Sequence, residues 1–340
     1  MQKLIIVTNE SIFNNGQHFF CDNLDLKSTP EGLANFFDVN LIGRNSKIKR
    51  NHSINLSNVK NCNNIFIYLY EIFKTFKHNN NKYLIISITP FTFFACIFIK
   101  LFRKKPIVYL RSDGYGEYRS ILGFIGPSIY HLMFSVISRI SNFVSVRKYI
   151  LRNKKGELVT PSQLNPKWFK KIKKIEPNKI KLLYVGRIRK EKGIFSLLKL
   201  IKEIKFKLNL TIVGAEKNFD SSTLEKNVHI FNVESDEKKL IEYYDKHNIF
   251  ILPSFTEGYP MVLLEALSRL RPVIIFKEIE HIIENKKGIF VAERNVESLL
   301  EKIEIIKKNY ISIQNDMKKN SLPTNENFLK ELCSIILKIK

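Results

Sequence analysis

Short apolar runs of strand type alternate with longer stretches of helical periodicity from one end of the chain to the other, and that alternation constrains the fold more than any other feature. A strand, then a turn, then a helical pattern with one apolar face, then another strand, is the signature of β-α-β units built around parallel sheets. In the first half the expected strands are 3–8, 38–42, 52–56, 83–88, 106–110 and 142–146, with helices near 62–78, 90–102 and 119–139. The second half restarts with IKLLYVG at 180–186 and continues through LNLTIVG, VHIFNV, NIFILP and PVIIF, each readable as a strand. Between the halves, Asn153 to Asn178 is polar and lysine-rich and carries Pro161, Pro166 and Pro177, which marks a boundary. At 340 residues the chain is about twice the usual domain of roughly 150. The expectation is an α/β protein of two Rossmann-like, doubly wound domains: 1–155, a linker at 156–178, and 179–322. A C-terminal helix at 323–340 places Phe328, Leu332, Ile335 or Ile336, and Ile339 along one face, so it should pack on a domain, with the first as the candidate.

Residues 84–102, LIISITPFTFFACIFIKLF, approach the ~20 apolar residues that span a bilayer. Pro90 falls inside them after a β-branched run, where proline suits the first turn of a helix, so a buried strand and a core helix are expected instead. At the N-terminus only Leu4 to Val7 are continuously apolar, too short for the core of a signal peptide. The four cysteines lie far apart without a C-x-x-C pair, which argues against a zinc site and a disulfide framework and fits a reducing cytoplasm. A net charge of +24 asks for an acidic partner: a nucleotide, a nucleic acid or an anionic lipid. Lysine is abundant everywhere, so part of that charge covers solvated faces. No recognition helix or RNA-binding signature accompanies it, and a nucleic-acid-binding protein is the lesser alternative.

In doubly wound sheets, ligands bind beyond the carboxyl ends of the strands. Directly after the strand 180–185 comes GRIRKEKGI, with Gly186, Arg187, Lys192 and Gly193 ahead of a helix. Two cations and two glycines at a helix N-terminus suit a diphosphate, since backbone N–H groups and the helix dipole add to the side-chain charge; the same residues also suit a solvated turn. After the strand NIFIL come Pro253, Ser254, Phe255, Thr256, Glu257, Gly258, Tyr259 and Pro260, then MVLLEAL. Pro260 suits a helix start and Gly258 a close backbone approach. The spacing of Glu257 and Glu265 recurs at Glu234 with Glu242 and at Glu293 with Glu301, so spacing alone carries nothing. The setting of strand, Pro-Ser, Glu-Gly-Tyr-Pro and apolar helix does, against the plainer reading of an acid beside a helix N-terminus. None of the seven histidines has a metal-ligand spacing with another, and His18, His131 and His281 are expected to serve packing or the surface.

At these residues the chain resembles glycosyltransferase family 4, the glycosyl transferases of group 1, retaining enzymes of the GT-B fold. The resemblance covers nearly the whole chain, is strong from Leu182 to Val291 and is fainter before Asn178. It implies two Rossmann-like domains facing across a cleft. YVGRIRKEKG looks like the family's phosphate-binding segment, which implies that Arg187 and Lys192, beside Gly186, grip the donor diphosphate. PSFTEGYPMVLLEAL looks like its E-x7-E element, which implies that Glu257, with Gly258 and Tyr259 next to it, faces the transferred sugar and that Glu265 faces the ribose. LTIVGAE followed by VHIFNVES stands where the family holds the base, with Val233 as a contact. Three departures matter. Arg111-Ser112-Asp113-Gly114 replaces a His-Asp or His-Gly pair, so a histidine role is lost and Asp113 remains the candidate near the reacting centre. The first loop offers the single glycine Gly16, in NNGQ, where the family has a pair. Arg269-Leu270-Arg271 replaces small residues, behind the donor pocket.

The resemblance implies retaining transfer of a sugar from a UDP- or GDP-linked donor to a glycan or lipid-linked acceptor, such as a lipopolysaccharide or capsule precursor at the cytoplasmic face of a membrane. No cofactor and no metal are expected, the nucleotide sugar being a substrate. An epimerase of nucleotide sugars and a phosphorylase share the fold and are the alternatives. The segment PKWFKKIKKIE, 166–176, read as a helix, collects Trp168, Phe169, Ile172 and Ile175 on one face among five lysines. That pattern suits an anionic membrane surface and equally an anchor for the interdomain linker.

Overall fold

The computed structural model describes residues 1–175, 179–204, 208–215 and 225–339. Residues 176–178 of the expected linker and Glu216 of LTIVGAE lie outside them. The chain forms two compact units, Met1–Gln163 with Asn325–Lys340, and Leu164–Thr324.

The first unit contains β1 (Lys3–Asn14), β2 (Phe19–Cys21), α1 (Leu24–Leu33), β3 (Asp38–Ser46), β4 (His52–Ile54), β5 (Asn58–Cys62), α2 (Ile65–Lys74), β6 (Lys82–Ile86), α3 (Pro90–Leu101), β7 (Pro106–Leu110), α4 (Gly114–Leu122), α5 (Gly126–Ile140), β8 (Asn142–Ser145) and β9 (Gly156–Leu158). Parallel pairing runs β5-β3-β1-β6-β7-β8-β9, with β2 antiparallel to β1 and β4 antiparallel to β2. Leu4 to Val7 are fully buried, as a strand covered on both faces requires. Residues 84–102 divide into the end of β6 and α3, whose Pro90 stands in the first turn with Thr89 and Thr92 forming a capping box.

Four expectations need correction here. The first strand is 3–14, not 3–8: its pairing with β3 resumes past a bulge between Val7 and Ser11, and Gly16, at φ 94°, sits in the hairpin turn that leads to β2. The helix expected at 119–139 is two. Gly123 takes φ 67°, and the chain folds back so tightly that a Cβ on Gly126 would lie 2.0 Å from the Tyr118 carbonyl oxygen and one on Gly114 would lie 2.1 Å from the Tyr130 ring. The linker expected at 156–178 begins with β9, a strand of the first unit. The described part of 166–176, residues 166–175, does not form an amphipathic helix, for a reason that lies in the second unit.

That unit contains β10 (Lys181–Val185), α6 (Ile194–Glu203), β11 (Asn209–Ala215), β12 (Val228–Asn232), α7 (Glu237–Lys246), β13 (Ile249–Leu252), α8 (Met261–Ser268), β14 (Val273–Phe276), β15 (Ile289–Ala292), α9 (Val296–Lys308) and α10 (Tyr310–Met317). All its strands are parallel, in the order β12-β11-β10-β13-β14-β15. Alternate residues serve two cores. Leu182, Tyr184, Ile212 and Ile251 pack with Ile194 and Leu197 of α6 and Ile303 of α9. Leu183, Val213, Phe250 and Leu252 pack with Tyr244 of α7 and Leu263 and Leu267 of α8.

Helical structure at 166–175 stops after one 3-10 turn, Pro166–Phe169. Trp168 is buried edge-on against Tyr244 at 5.7 Å, with its Nε1–H donating to Glu237 at 3.1 Å. The following carbonyls are taken from outside the segment. Arg269 donates to the carbonyls of Trp168, Lys170 and Lys171 at 2.9, 2.8 and 3.2 Å, and Arg271 to that of Lys173 at 2.8 Å. These bonds satisfy the carbonyls outside a helix ladder, and Lys171, at φ 51°, has a left-handed backbone through which a right-handed helix does not run. Both guanidinium groups converge on Asp245. A final helix, α11 (Asn325–Lys338), belongs to the first unit, where Phe328 meets Tyr109 at 6.4 Å.

Candidate functional site

The carboxyl end of β10 opens into a loop that is tightened at both ends. Gly186 takes φ 152° and its N–H donates to the Val213 carbonyl of β11 at 2.9 Å. The Tyr184 hydroxyl donates to the Arg187 carbonyl at 2.8 Å; burial first, then the nearby Glu257, holds that phenol protonated above its ordinary range. The loop closes in a 3-10 turn, Lys190–Lys192, and Gly193, at φ 68°, starts α6 without a side-chain cap. A helix begun that way keeps its first-turn N–H groups and the positive end of its dipole for an anion.

The loop after β13 lies directly against this one. A Cβ on Gly193 would come 1.8 Å from the Pro253 carbonyl oxygen, and the Phe255 N–H donates to the Glu191 carbonyl at 3.0 Å. This contact brings together two residues that the sequence places 65 apart: Lys192 Nζ lies 2.8 Å from Glu257 Oε1. The Ser254 hydroxyl donates to the same oxygen at 2.6 Å. The lysine side chain is 25% exposed and the glutamate 8%, so the pair is partly withdrawn from water while the ammonium still reaches it.

The next two strand ends brace the loop. His281, after β14, lies 3.1 Å from the Glu257 carbonyl oxygen through Nε2; a carbonyl only accepts, so Nε2 carries the proton. Arg294, after β15, stacks on Phe255 at 4.1 Å and on Phe276 at 4.4 Å, and its Nε donates to Glu278 at 2.7 Å. That bond holds the Glu278 carboxyl below its usual range. Loops from β10, β13, β14 and β15 thus meet in one cluster. Sequence reasoning missed Ser254 as a participant, although it lies inside PSFTEGYP. It also set His281 aside and did not consider Arg294, since neither has a distinguishing spacing.

The remaining expected residues fall as follows. Arg187 is exposed on the β10 loop. Gly258 and Tyr259 are half-buried before α8. Glu265 is 5% exposed and its Oε2 accepts from the Tyr244 hydroxyl at 2.8 Å; burial and that carboxylate hold the phenol protonated well above its ordinary range. Val233, just past β12, is 38% exposed, with its N–H donating to the Ala215 carbonyl at 3.2 Å. Gly16 and Asp113 belong to the first unit. Gly16 is exposed; Asp113 caps α4 by accepting from the Tyr115 N–H at 3.2 Å and pairs with Arg152 at 3.6 Å. Among the described residues no three of His, Cys, Asp and Glu come together as metal ligands would.

Residues 166–322 match the family model described as glycosyl transferases group 1. The capsular polysaccharide biosynthesis glycosyltransferase CapM of Staphylococcus aureus is 29% identical over 178 residues, 48% of this chain and 43% of that one. An N,N'-diacetylbacillosaminyl-diphospho-undecaprenol alpha-1,3-N-acetylgalactosaminyltransferase of Campylobacter jejuni is 25% identical over 44% of this chain and 42% of its own length. The alignments therefore span less than half of each of these curated relatives. Among solved structures, Anabaena Alr3699/HepE in complex with UDP and glucose superposes with a TM-score of 0.67 at 12% identity, over 100% of this chain and 98% of that one. The fold is that of the GT-B glycosyltransferases, and residues 166–322, most of the second unit, are similar to the glycosyl transferases of group 1.

Proposed function

We propose that the protein is a retaining, metal-independent glycosyltransferase that moves a sugar from a nucleoside-diphosphate donor, UDP- or GDP-linked, to a glycan or lipid-linked acceptor of a bacterial surface polysaccharide. The observation that carries this reading is the Lys192 to Glu257 contact of 2.8 Å, made between two strand-end loops at the uncapped start of α6. A cation there meets the charge that builds on a departing diphosphate, as a divalent ion would in other designs. An acid held by Lys192 and Ser254 is positioned to order sugar hydroxyls beside it. Arg187, exposed on the same loop, supplies the second cation. Following the group's pattern, Glu265 is assigned to the ribose, Val233 to the base and Asp113 to the neighbourhood of the reacting sugar. The relatives' names support an acceptor in capsule or lipid-diphosphate chemistry, and the UDP and glucose in the HepE structure support the donor class.

Thermal unfolding with UDP, GDP and ADP tests the donor site before any acceptor is known. A ligand at one hundred times its Kd adds about 2.7 kcal/mol, a rise of roughly 5 to 11 °C for a unit of this size. Arg187→Ala with Lys192→Ala removes two charged hydrogen bonds worth about 1.5 to 3 kcal/mol each and should weaken binding by roughly a hundred- to ten-thousand-fold. Stabilisation by none of the nucleotides, or equal stabilisation of the double variant, would refute the assignment. Once an acceptor is found, an inverted anomeric centre in the product would exclude retention, and turnover of the nucleotide sugar without any acceptor would point to the epimerase alternative.

A further inference from the structure

We propose that the turn between α4 and α5 inserts into an anionic lipid bilayer. Helix α5 is apolar on two faces. Tyr130, Met133, Phe134 and Ile137 are buried against its own unit, whereas Ile125, Ile129 and Leu132 form a second stripe and are 50, 41 and 67% exposed. The end of α4 and the turn after it continue that stripe with Ile121, Leu122 and Phe124 at 72, 43 and 90% exposure. Of the most apolar eighteen residues in Gly114–Ile140, 28% are buried. The stretch does not run straight enough to cross a bilayer. Gly123 and Gly126 fold it into a hairpin, with Tyr118 against Gly126 and Tyr130 against Gly114. Gly114 follows the carboxyl end of β7 by four residues, and eight residues of α4, a rise of about 12 Å, lead from it to Leu122 at the tip. The apolar finger therefore rises from the edge of the sheet where doubly wound folds place their ligands.

Charge selects the occupant. Glu117 is the single acid within the hairpin, while Arg119 is exposed on α4; at the hairpin's base Arg152 lies on the Tyr115 ring, 4.8 Å from its centroid, and pairs with Asp113 at 3.6 Å. Exposed Lys148 follows β8, the neighbouring strand. A convex apolar tip under a basic collar, on a chain of net charge +24, fits acyl chains below acidic headgroups. The surface is distinct from residues 166–176, whose Trp168 is buried in the second unit.

Vesicle flotation of the full chain tests the proposal without any sugar transfer, so its failure and that of the transferase reading are separable. The protein should float with phosphatidylcholine vesicles containing phosphatidylglycerol and much less with phosphatidylcholine alone. Phe124→Ser with Ile125→Ser should lower the partition coefficient by about a hundredfold with an unchanged thermal unfolding profile, since both side chains are exposed. Arg119→Ser should lower it about fivefold, on the acidic vesicles only. Trp168 is the chain's one tryptophan; brominated acyl chains should quench a Phe124→Trp variant and leave the wild type bright. The proposal fails if the wild type stays in the soluble fraction, if the serine variant floats equally well, or if Phe124→Trp is unquenched. It fails also if the tip instead holds a lipid-free dimer that the serine variant converts to monomer.

Discussion

Replacing Asp245 by asparagine should destabilise the second unit more than any change at its surface. Asp245 is 6% exposed and Arg269 and Arg271 are 1% exposed each. Arg269 donates to Asp245 through Nε at 3.0 Å and through Nη2 at 2.9 and 2.8 Å; Arg271 donates through Nη2 at 3.3 Å and, through Nε, to the Tyr244 carbonyl at 2.8 Å. One carboxylate thus answers two buried guanidinium groups; backbone carbonyls accept from Nη1 and Nη2 of Arg269 and from Nε and Nη2 of Arg271, while Arg271 Nη1 is buried without a hydrogen-bond partner among the described residues. Asparagine keeps the shape and removes the charge. Orphaning a buried partner costs about 3 to 5 kcal/mol, and at roughly 2 to 4 °C per kcal/mol for a unit of this length the midpoint should fall by about 6 to 20 °C. Trp168 fluorescence reports the transition directly, because its carbonyl is one of the groups that Arg269 holds. Arg271→Met should cost less, since it removes a buried charge instead of stranding two. An Asp245→Asn midpoint within about 2 °C of wild type would show that the carbonyls alone hold the arginines, and the reasoning would be wrong.

Two further outcomes follow from single contacts. Gly193→Ala forces a Cβ to within 1.8 Å of the Pro253 carbonyl oxygen at φ 68°, so it should cost about 2 to 4 kcal/mol and push apart the loops that carry Lys192 and Glu257; urea unfolding followed at Trp168 and nucleotide-induced stabilisation should both fall, and a neutral outcome would contradict the close packing. His247 donates from Nδ1 to the Tyr243 carbonyl at 2.6 Å and accepts at Nε2 from the Thr211 hydroxyl at 2.8 Å; burial, aided by Lys181, Arg271 and Lys246, lowers its pKa from 6.5. The unfolded chain then takes up the proton first, so stability is complete above about pH 6.5 and declines as pH falls from there toward the folded value. His247→Gln should lose that decline, and identical slopes for the two proteins would refute it.

The central strands of both sheets were legible because parallel strands covered on two faces read as unbroken apolar runs, as LIIV, YLII, PIVYL and VIIF do; the short or outer strands β2, β5, β9 and β15 were not. Misses came from forces that a local pattern does not carry. Asn9 to Ser11 read as a loop because NES is polar, yet the strand continues past its bulge. ILGFIGPSI is apolar on both sides of its glycines, so the break between α4 and α5 hid inside one apparent helix. Residues 166–176 do have helical spacing, but arginines about a hundred positions away take their carbonyls. At the candidate site, Lys192 and Glu257 could be singled out because each follows a strand in a distinctive setting. His281 and Arg294 could not, because they reach the same loop from strands β14 and β15, and nothing in their neighbours announces the meeting.

The first unit is completed by the last helix, since α11 belongs with Met1–Gln163 while everything from Leu164 to Thr324 lies in the other unit. During synthesis at about 5 to 20 residues per second, the early sheet therefore waits roughly 10 to 30 s for the helix that finishes its core. Until then the surface that Leu329 and Leu332 will cover, including Gly32 on α1, stays open to solvent and to chaperones. The ribosome releases the second unit's sequence ready to fold while the first is still one piece short.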